Sequence, residues 1–393
     1  MKSKIPYSTQ TIDNNDIKNV IKVLKSDYLT QGPILGKFEK AISKFCKSKY
    51  ALGVNSATSA LYLACAAINF KKKDILWTTP NTFVGTSNCA LHLGGKVDFV
   101  DIDYIDGNID INDLNKKLLI AKKRGNLPKV VIPVHFAGLP TKQREIYKLS
   151  KKYNFKIIED ASHSLGAKYY NHKVGNCFAS DITVFSMHPV KTITTGEGGV
   201  VTTNNKKIYE KIKILRNSGI TREKKYFVNK NYKKYDWYYE QQLLGMNFRM
   251  NEISAALGLS QLKKINFFVS KRNKIAKIYK KYLDNKFLIL PKINKNILSA
   301  FHLYVIKIKH KKYKDIRNQL FNYLRKKNIL VNVHYIPVHS QPYYRKIQKF
   351  QRKQLYLSEK HGESSLSIPV YPKLKNKEQF KIIKLINGFL KKL

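Results

Sequence analysis

The chain has 393 residues and carries 74 Lys and Arg against 26 Asp and Glu, a formal net charge of +48, with 43% apolar and 12% aromatic residues. This composition fits a folded globular protein and argues against a disordered chain, and no run approaches the roughly 18 apolar residues of a membrane span. The length exceeds the roughly 250 to 300 residues that one hydrophobic core supports, so two domains are expected.

The opening MKSKIPYSTQTID lacks the apolar core of a secretory signal, and the cytoplasm is the expected compartment. IDNNDIKNVIKVLKSDYLTQGPILGKFEKAISKFCKSKY then holds two amphipathic helical patterns, with Asp13 or Asn14 placed to cap the first and Gly32-Pro33 breaking the chain before the second. YALGVNSATSALYLACAAI reads as a short strand, a polar turn and a helix too apolar to face water on most sides. DILWTTPNTFVGTSNCALHLGG repeats that plan, with a strand to Thr79 and a helix from about Thr82. KVDFVDID and LPKVVIPVHFAG supply further strands, and TKQREIYKLSKKYN is the helix that leads into KIIED. Strands alternating with helices predict right-handed crossovers and a mainly parallel sheet covered on both faces.

Beyond GEGGVVTTN comes the helix KKIYEKIKILRNSG, then a polar, aromatic-rich stretch from Ile220 to Leu244 without clear periodicity. A loop that long is usually functional or mobile. GMNFRMNEISAALGLSQLKKINFFVSKRNKIAKIYKKYL predicts one long helix or two in tandem. From about Asn285, the short strands FHLYVIKI, ILVNVHY and SSLSIP alternate with two or three helices, the pattern of a small α+β domain. The expected division is a large domain over residues 1–270 and a small one over 271–393.

Two features of the whole chain are easily misread. The basic excess would suggest nucleic acid, but the lysines are scattered over the predicted helix faces, and the expectation is a solvated surface with no nucleic-acid partner. Cys46, Cys65, Cys89 and Cys177 lie far apart without metal-ligand spacing and read as small core residues.

The chemistry concentrates between Ile157 and Val201. KIIED and DITVFS are apolar runs that close on polar residues, as buried parallel strands do, and open α/β sheets bind ligands at such carboxyl ends. Lys191, in a loop ending Gly-Glu-Gly-Gly, can there form a Schiff base with an aldehyde cofactor, and Asp160 can partner a pyridinium nitrogen. The helix start after NSA offers unpaired N–H groups to an anion beside Thr58 and Ser59, a use compatible with helix capping by Ser56.

NSATSAL, TPNTFVGTSN, IIEDASHSLGA, FSMHPVKTITTGEGG and GMNFRMNE, in this order and spacing, resemble the DegT/DnrJ/StrS sugar aminotransferases over nearly the whole chain. The resemblance implies an α/β fold of the aspartate aminotransferase type (fold type I) with a smaller C-terminal α+β domain, pyridoxal 5'-phosphate as cofactor, and no metal. It implies that Lys191 binds the cofactor and shuttles the α-carbon proton while Asp160 keeps the pyridine nitrogen protonated. Phe83 then stacks on one face of the ring and Ser162 lies on the other, with His163 near the ring oxygen. Thr58, Ser59 and Ser186 receive the phosphate, and Asn247 reaches that of the neighbouring subunit, which implies a homodimer with shared active sites.

The implied substrates are a nucleotide-linked keto sugar and glutamate as amino donor. Tyr7, Gln31, Gly32, His334, Tyr335 and His339 are read as the lining of the sugar site. IPYSTQTID, LTQGP and VHYIPVHSQPYY most resemble the branch that serves pseudaminic acid biosynthesis, whose members aminate C4 of a UDP-linked 4-keto-6-deoxy N-acetyl sugar. Another nucleotide keto sugar, of the perosamine, bacillosamine or 3-amino type, is the alternative substrate. Dehydratase relatives carry histidine in place of the lysine, so Lys191 argues against that chemistry. A basic nucleic-acid-binding protein on the same fold is the non-enzymatic alternative, resting on charge alone.

Overall fold

A computed structural model of the chain describes residues 4–348 and 352–392. Seven strands form one sheet in the order Tyr50–Val54, Gly199–Thr203, Ile182–Ser186, Lys156–Asp160, Val130–Ile132, Ile75–Thr78, Lys96–Phe99. Neighbours are parallel except at Gly199–Thr203, which runs against both of its partners. Because side chains alternate along a strand, Leu76, Val130 and Ile158 enter the apolar cluster on one face and Trp77, Val131 and Ile157 the cluster on the other. Helices cover both clusters. This is why the strands read as continuous apolar runs.

The helix Asn14–Leu24 is closed by a capping box between Asp13 and Asp16. The helix Pro33–Cys46 has only Gly32 at its N-cap, and its first N–H groups are met from a distance instead. Glu252 accepts from Ile34 N–H at 2.6 Å and Leu35 N–H at 3.2 Å. All four cysteines are buried free thiols. The tandem reading of the later helices holds, as Glu252–Leu262 and Ile265–Tyr282, and Ile220 to Leu244 contains little beyond one short strand pair and two 3-10 turns.

Local pattern misleads at several points. ILVNVHY forms no strand, because its backbone pairs only singly, Ile329 with Ile5 and Asn332 with Ser367. The helix expected from about Thr82 begins at Gly85. A helix over Ile111–Lys123, capped by Asp110, is absent from the sequence reading.

A second hydrophobic centre gathers Tyr304, Leu320, Leu366 and Ile386 around the three-stranded sheet Leu288–Ile289, Tyr304–Ile308 and Ser365–Ile368. Ile5 packs into it, although the sequence reading groups the amino-terminal segment with residues 1–270.

Candidate active site

Asp160 and Ser186 end adjacent parallel strands, and both open on a cavity of about 390 Å³, within the roughly 300–1,000 Å³ usual for small-molecule sites. Thr58, Phe83, Ser162, His163 and Lys191 line it, as do Tyr7, His334 and Tyr335. Lys191 is the one Lys or Arg in its wall among the described residues.

Strand alternation separates two adjacent acids. Glu159 turns away from the cavity, where Thr183 O–H at 2.7 Å and Gln143 donate to it and His135 lies 3.7 Å away. Burial pushes its pKa up, but His135, Thr183 and Gln143 together hold it below the usual carboxylate range. Asp160 faces the cavity. Its Oδ2 accepts from Thr86 O–H at 2.6 Å and its Oδ1 from Ser162 N–H at 3.1 Å, while Thr86 and Thr82 share a further hydrogen bond of 2.8 Å. These donors satisfy the oxygens of a carboxyl group that the fold shields from water.

Lys191 has its pKa lowered to about 8, because burial strips water from the ammonium while the charge of Asp160 only partly opposes this. His163 sits well below the usual histidine range through burial and the nearby Lys191. Its Nε2 lies 3.1 Å from the Tyr335 hydroxyl, and its Nδ1 is buried without a hydrogen-bond partner. His334 is pushed down to about 3 by burial and Lys191, and its Nδ1 lies 2.8 Å from Ser367 Oγ.

The helix Ala57–Ala67 starts at the cavity. Ser56 Oγ accepts from Ser59 N–H at 3.1 Å, which leaves the N–H groups of Ala57 and Thr58 without an intrahelical acceptor. The turn is cradled by Gly199, where a Cβ would lie 2.4 Å from Ser56 O and 2.7 Å from Ala57 N. Phe83 is 61% exposed at the cavity, its ring uncovered by the rest of the chain.

Other expected residues lie elsewhere. Ser59 belongs to the cap, its Oγ donating to Asn55 Oδ1 at 2.6 Å, and does not line the cavity. Gln31 and Gly32 line a separate cavity of about 340 Å³ beside Arg216 and Arg249, because Gly32 is held as a helix N-cap. His339 is buried with its Nε2 3.2 Å from Glu359 Oε1, so it is spent on packing rather than on lining the site. Asn247 is exposed outside the cavity, its backbone bridged to Asn217. Thr86, Glu197 and His302 line the cavity without having been singled out. Thr86 had a signal, since it stands one helical turn after Thr82 in PNTFVGTSN. His302 had only its place as an ionisable residue heading an apolar strand.

The donor set fits pyridoxal phosphate: an anion-accepting helix start beside the Thr58 and Ser186 hydroxyls, a buried carboxylate, an amine of lowered pKa and an uncovered aromatic ring. Among the described residues no group of three or more His, Cys, Asp or Glu is placed to hold a metal ion. No described helix is long and apolar enough to cross a membrane.

Comparison with known proteins agrees with this chemistry. The model of the DegT/DnrJ/EryC1/StrS aminotransferase family matches residues 10–387, and the chain belongs to that family. It is a nucleotide-sugar aminotransferase of fold type I. The chain is similar to the UDP-4-amino-4,6-dideoxy-N-acetyl-beta-L-altrosamine transaminase of Campylobacter jejuni, with 39% identity over 375 residues, 95% of this chain and 94% of the relative. It is similar at 30% identity over 386 residues to the GDP-perosamine synthase of Escherichia coli O157:H7, covering 98% of each. Among solved structures it is similar to Helicobacter pylori PseC, an aminotransferase involved in the biosynthesis of pseudoaminic acid, with a TM-score of 0.88, 33% identity and 100% of both chains covered.

Proposed function

We propose that the protein transfers an amino group from glutamate to C4 of a UDP-linked 4-keto-6-deoxy N-acetyl sugar, the amination step of pseudaminic acid biosynthesis. The observation that carries this reading is the end-to-end likeness to the Campylobacter jejuni transaminase, joined to a cavity that holds the expected lysine, acid and helix start. The lower identity to the perosamine synthase leaves that sugar type as the second reading.

When bound, pyridoxal phosphate supplies an electron sink for the pair left behind as a proton departs. The chain's own part is placement and proton transfer. The N–H groups at Ala57 and Thr58, with the Thr58 and Ser186 hydroxyls, bind the phosphate. Asp160, held by Thr86 and Ser162, keeps a proton on the ring nitrogen. Phe83 and Ser162, in the cavity wall, would hold the cofactor ring between them, and His163 would lie near the ring oxygen. Lys191, with its pKa lowered to about 8, takes and returns the proton at the reacting carbon. Tyr7, His334 and Tyr335 line the space left for the sugar. Asn247, exposed and outside its own cavity, serves the site of a second copy in a homodimer.

The test is incubation with glutamate, pyridoxal phosphate and a panel of UDP-, GDP- and dTDP-linked 4-keto sugars, with products identified by mass and NMR. Amination at C4 of the UDP-linked N-acetyl sugar is expected to be fastest. Preference for a GDP-linked sugar would overturn this assignment in favour of the perosamine type.

A further inference from the structure

His302 lines the same cavity as Lys191, and its ring centre lies 4.4 Å from that of His163, with a 40° tilt. The backbone that carries it is held from several sides. Arg272, on the Ile265–Tyr282 helix and 1% exposed, donates from Nη1 to the carbonyls of Phe301 and His302, each at 3.2 Å, and to that of Val370 at 2.7 Å. Phe301 adopts a φ of 43°, in the left-handed region, at a cost of roughly 1 kcal/mol or more for a residue with a side chain. Gly138, itself at φ 94°, approaches so closely that a Cβ there would lie 2.9 Å from Phe301 N and 3.0 Å from His302 N. Ala300 N–H and Leu303 N–H donate to the carbonyls of Gly138 and Ala137.

This is an expensive arrangement for a connection between strands. Arg272 is a buried cation with no ion pair among the described residues, and burial draws its pKa down to about 10. Strain and buried charge of this kind persist where the surroundings over-determine a conformation, most often beside a functional site. The result is that His163 is held from two directions, by the His302 ring and by the Tyr335 hydroxyl on its Nε2. Burial and the surrounding cations push both imidazoles well below their usual range, so the contact is between neutral rings. Burial also raises the Tyr335 phenol, which stays protonated. Its O–H can then donate to Nε2, placing the imidazole proton on the unpaired Nδ1.

We propose that His302, seated by Arg272, is a positioning residue for His163: it fixes the plane of that ring in the cavity wall and with it the face that His163 presents to a bound cofactor. The proposal rests on the reading of the cavity as a pyridoxal phosphate site.

The test loads wild type, His302→Ala, His302→Phe, His302→Gln and Arg272→Lys with pyridoxal phosphate. The readouts are the ratio of the two cofactor absorption bands at one pH and, separately, the melting temperature of each apoprotein. His302→Ala and Arg272→Lys are expected to change the ratio roughly threefold, the scale of one aromatic contact. His302→Phe, which restores a ring against His163, is expected to return it most of the way, with no correlation between ratio and melting temperature. If His302→Ala does not fold, the volume-preserving pair decides: Phe near wild type with Gln shifted supports the proposal, and both near wild type overturns it. A ratio unchanged in folded His302→Ala and Arg272→Lys also overturns it, whatever their stability. A wild-type protein that takes up no cofactor removes the reading of the cavity itself, and this proposal with it.

Discussion

Asp160 and Glu159 are adjacent and both buried, yet only one faces the cavity. The choice was legible in the sequence, because the acid that ends an apolar strand sits where α/β sheets bind ligands. Lys191 was legible too, through the motifs around it rather than through its own type. His339 was misread because VHYIPVHS offers two histidines within one short segment. Only tertiary packing assigns His334 to the cavity and His339 to Glu359. His302 was invisible, since no local pattern says that a buried arginine will reach its carbonyl.

A prediction follows for Lys191. Its folded pKa of about 8 lies below the usual 10.5, so between those values the folded chain has released a proton that the unfolded chain retains. Stability therefore rises with pH through that window, and below it the charged amine destabilises the apoprotein. Competitive acetylation across pH, read by mass spectrometry on the Lys191 peptide, should show half-maximal reactivity near pH 8. The peptides that carry exposed lysines, read in the same digest, are the comparison. A Lys191 profile that matches theirs would contradict the assignment.

At the scale of elements, the strand-turn-helix over Tyr50–Ala67 was read correctly because its polar turn interrupts two apolar runs. The segment ILVNVHY was not, because alternation alone cannot say whether a neighbour is there to pair with. Nor could the sequence reveal that the antiparallel strand Gly199–Thr203 presses against the start of the helix Ala57–Ala67. That approach makes Gly199 a sensitive position. Gly199→Ala should cost about 1–3 kcal/mol by overpacking and should weaken pyridoxal phosphate binding, both read by thermal melts with and without cofactor. Gly388, in the helix Asn376–Leu390, is the control, since a Cβ added there would meet nothing within 4 Å. There the same change should stabilise by up to about 1 kcal/mol. Equal effects at the two positions would refute the cradle.

On the scale of the molecule, the +48 charge is carried almost wholly outside the core: among the described residues Lys307 and Arg272 are the Lys and Arg almost fully shielded from solvent, while Lys191 is half-buried in its cavity wall. We propose that the chain divides near residue 270. In support, Phe268 and Val269 of the long helix pack with the large-sheet residues, whereas Ile275 and Tyr279 pack with the second centre. The cavity wall draws on both sides of that division, with Lys191 from one and His302 and His334 from the other.

The central claim is that one lysine, among 74 Lys and Arg, is set apart by its cavity. Borohydride reduction of the pyridoxal phosphate-loaded protein, followed by peptide mapping, tests this most directly. A single pyridoxyl group per chain, on Lys191, is the predicted result; label on another lysine, or spread over the surface lysines, would contradict it.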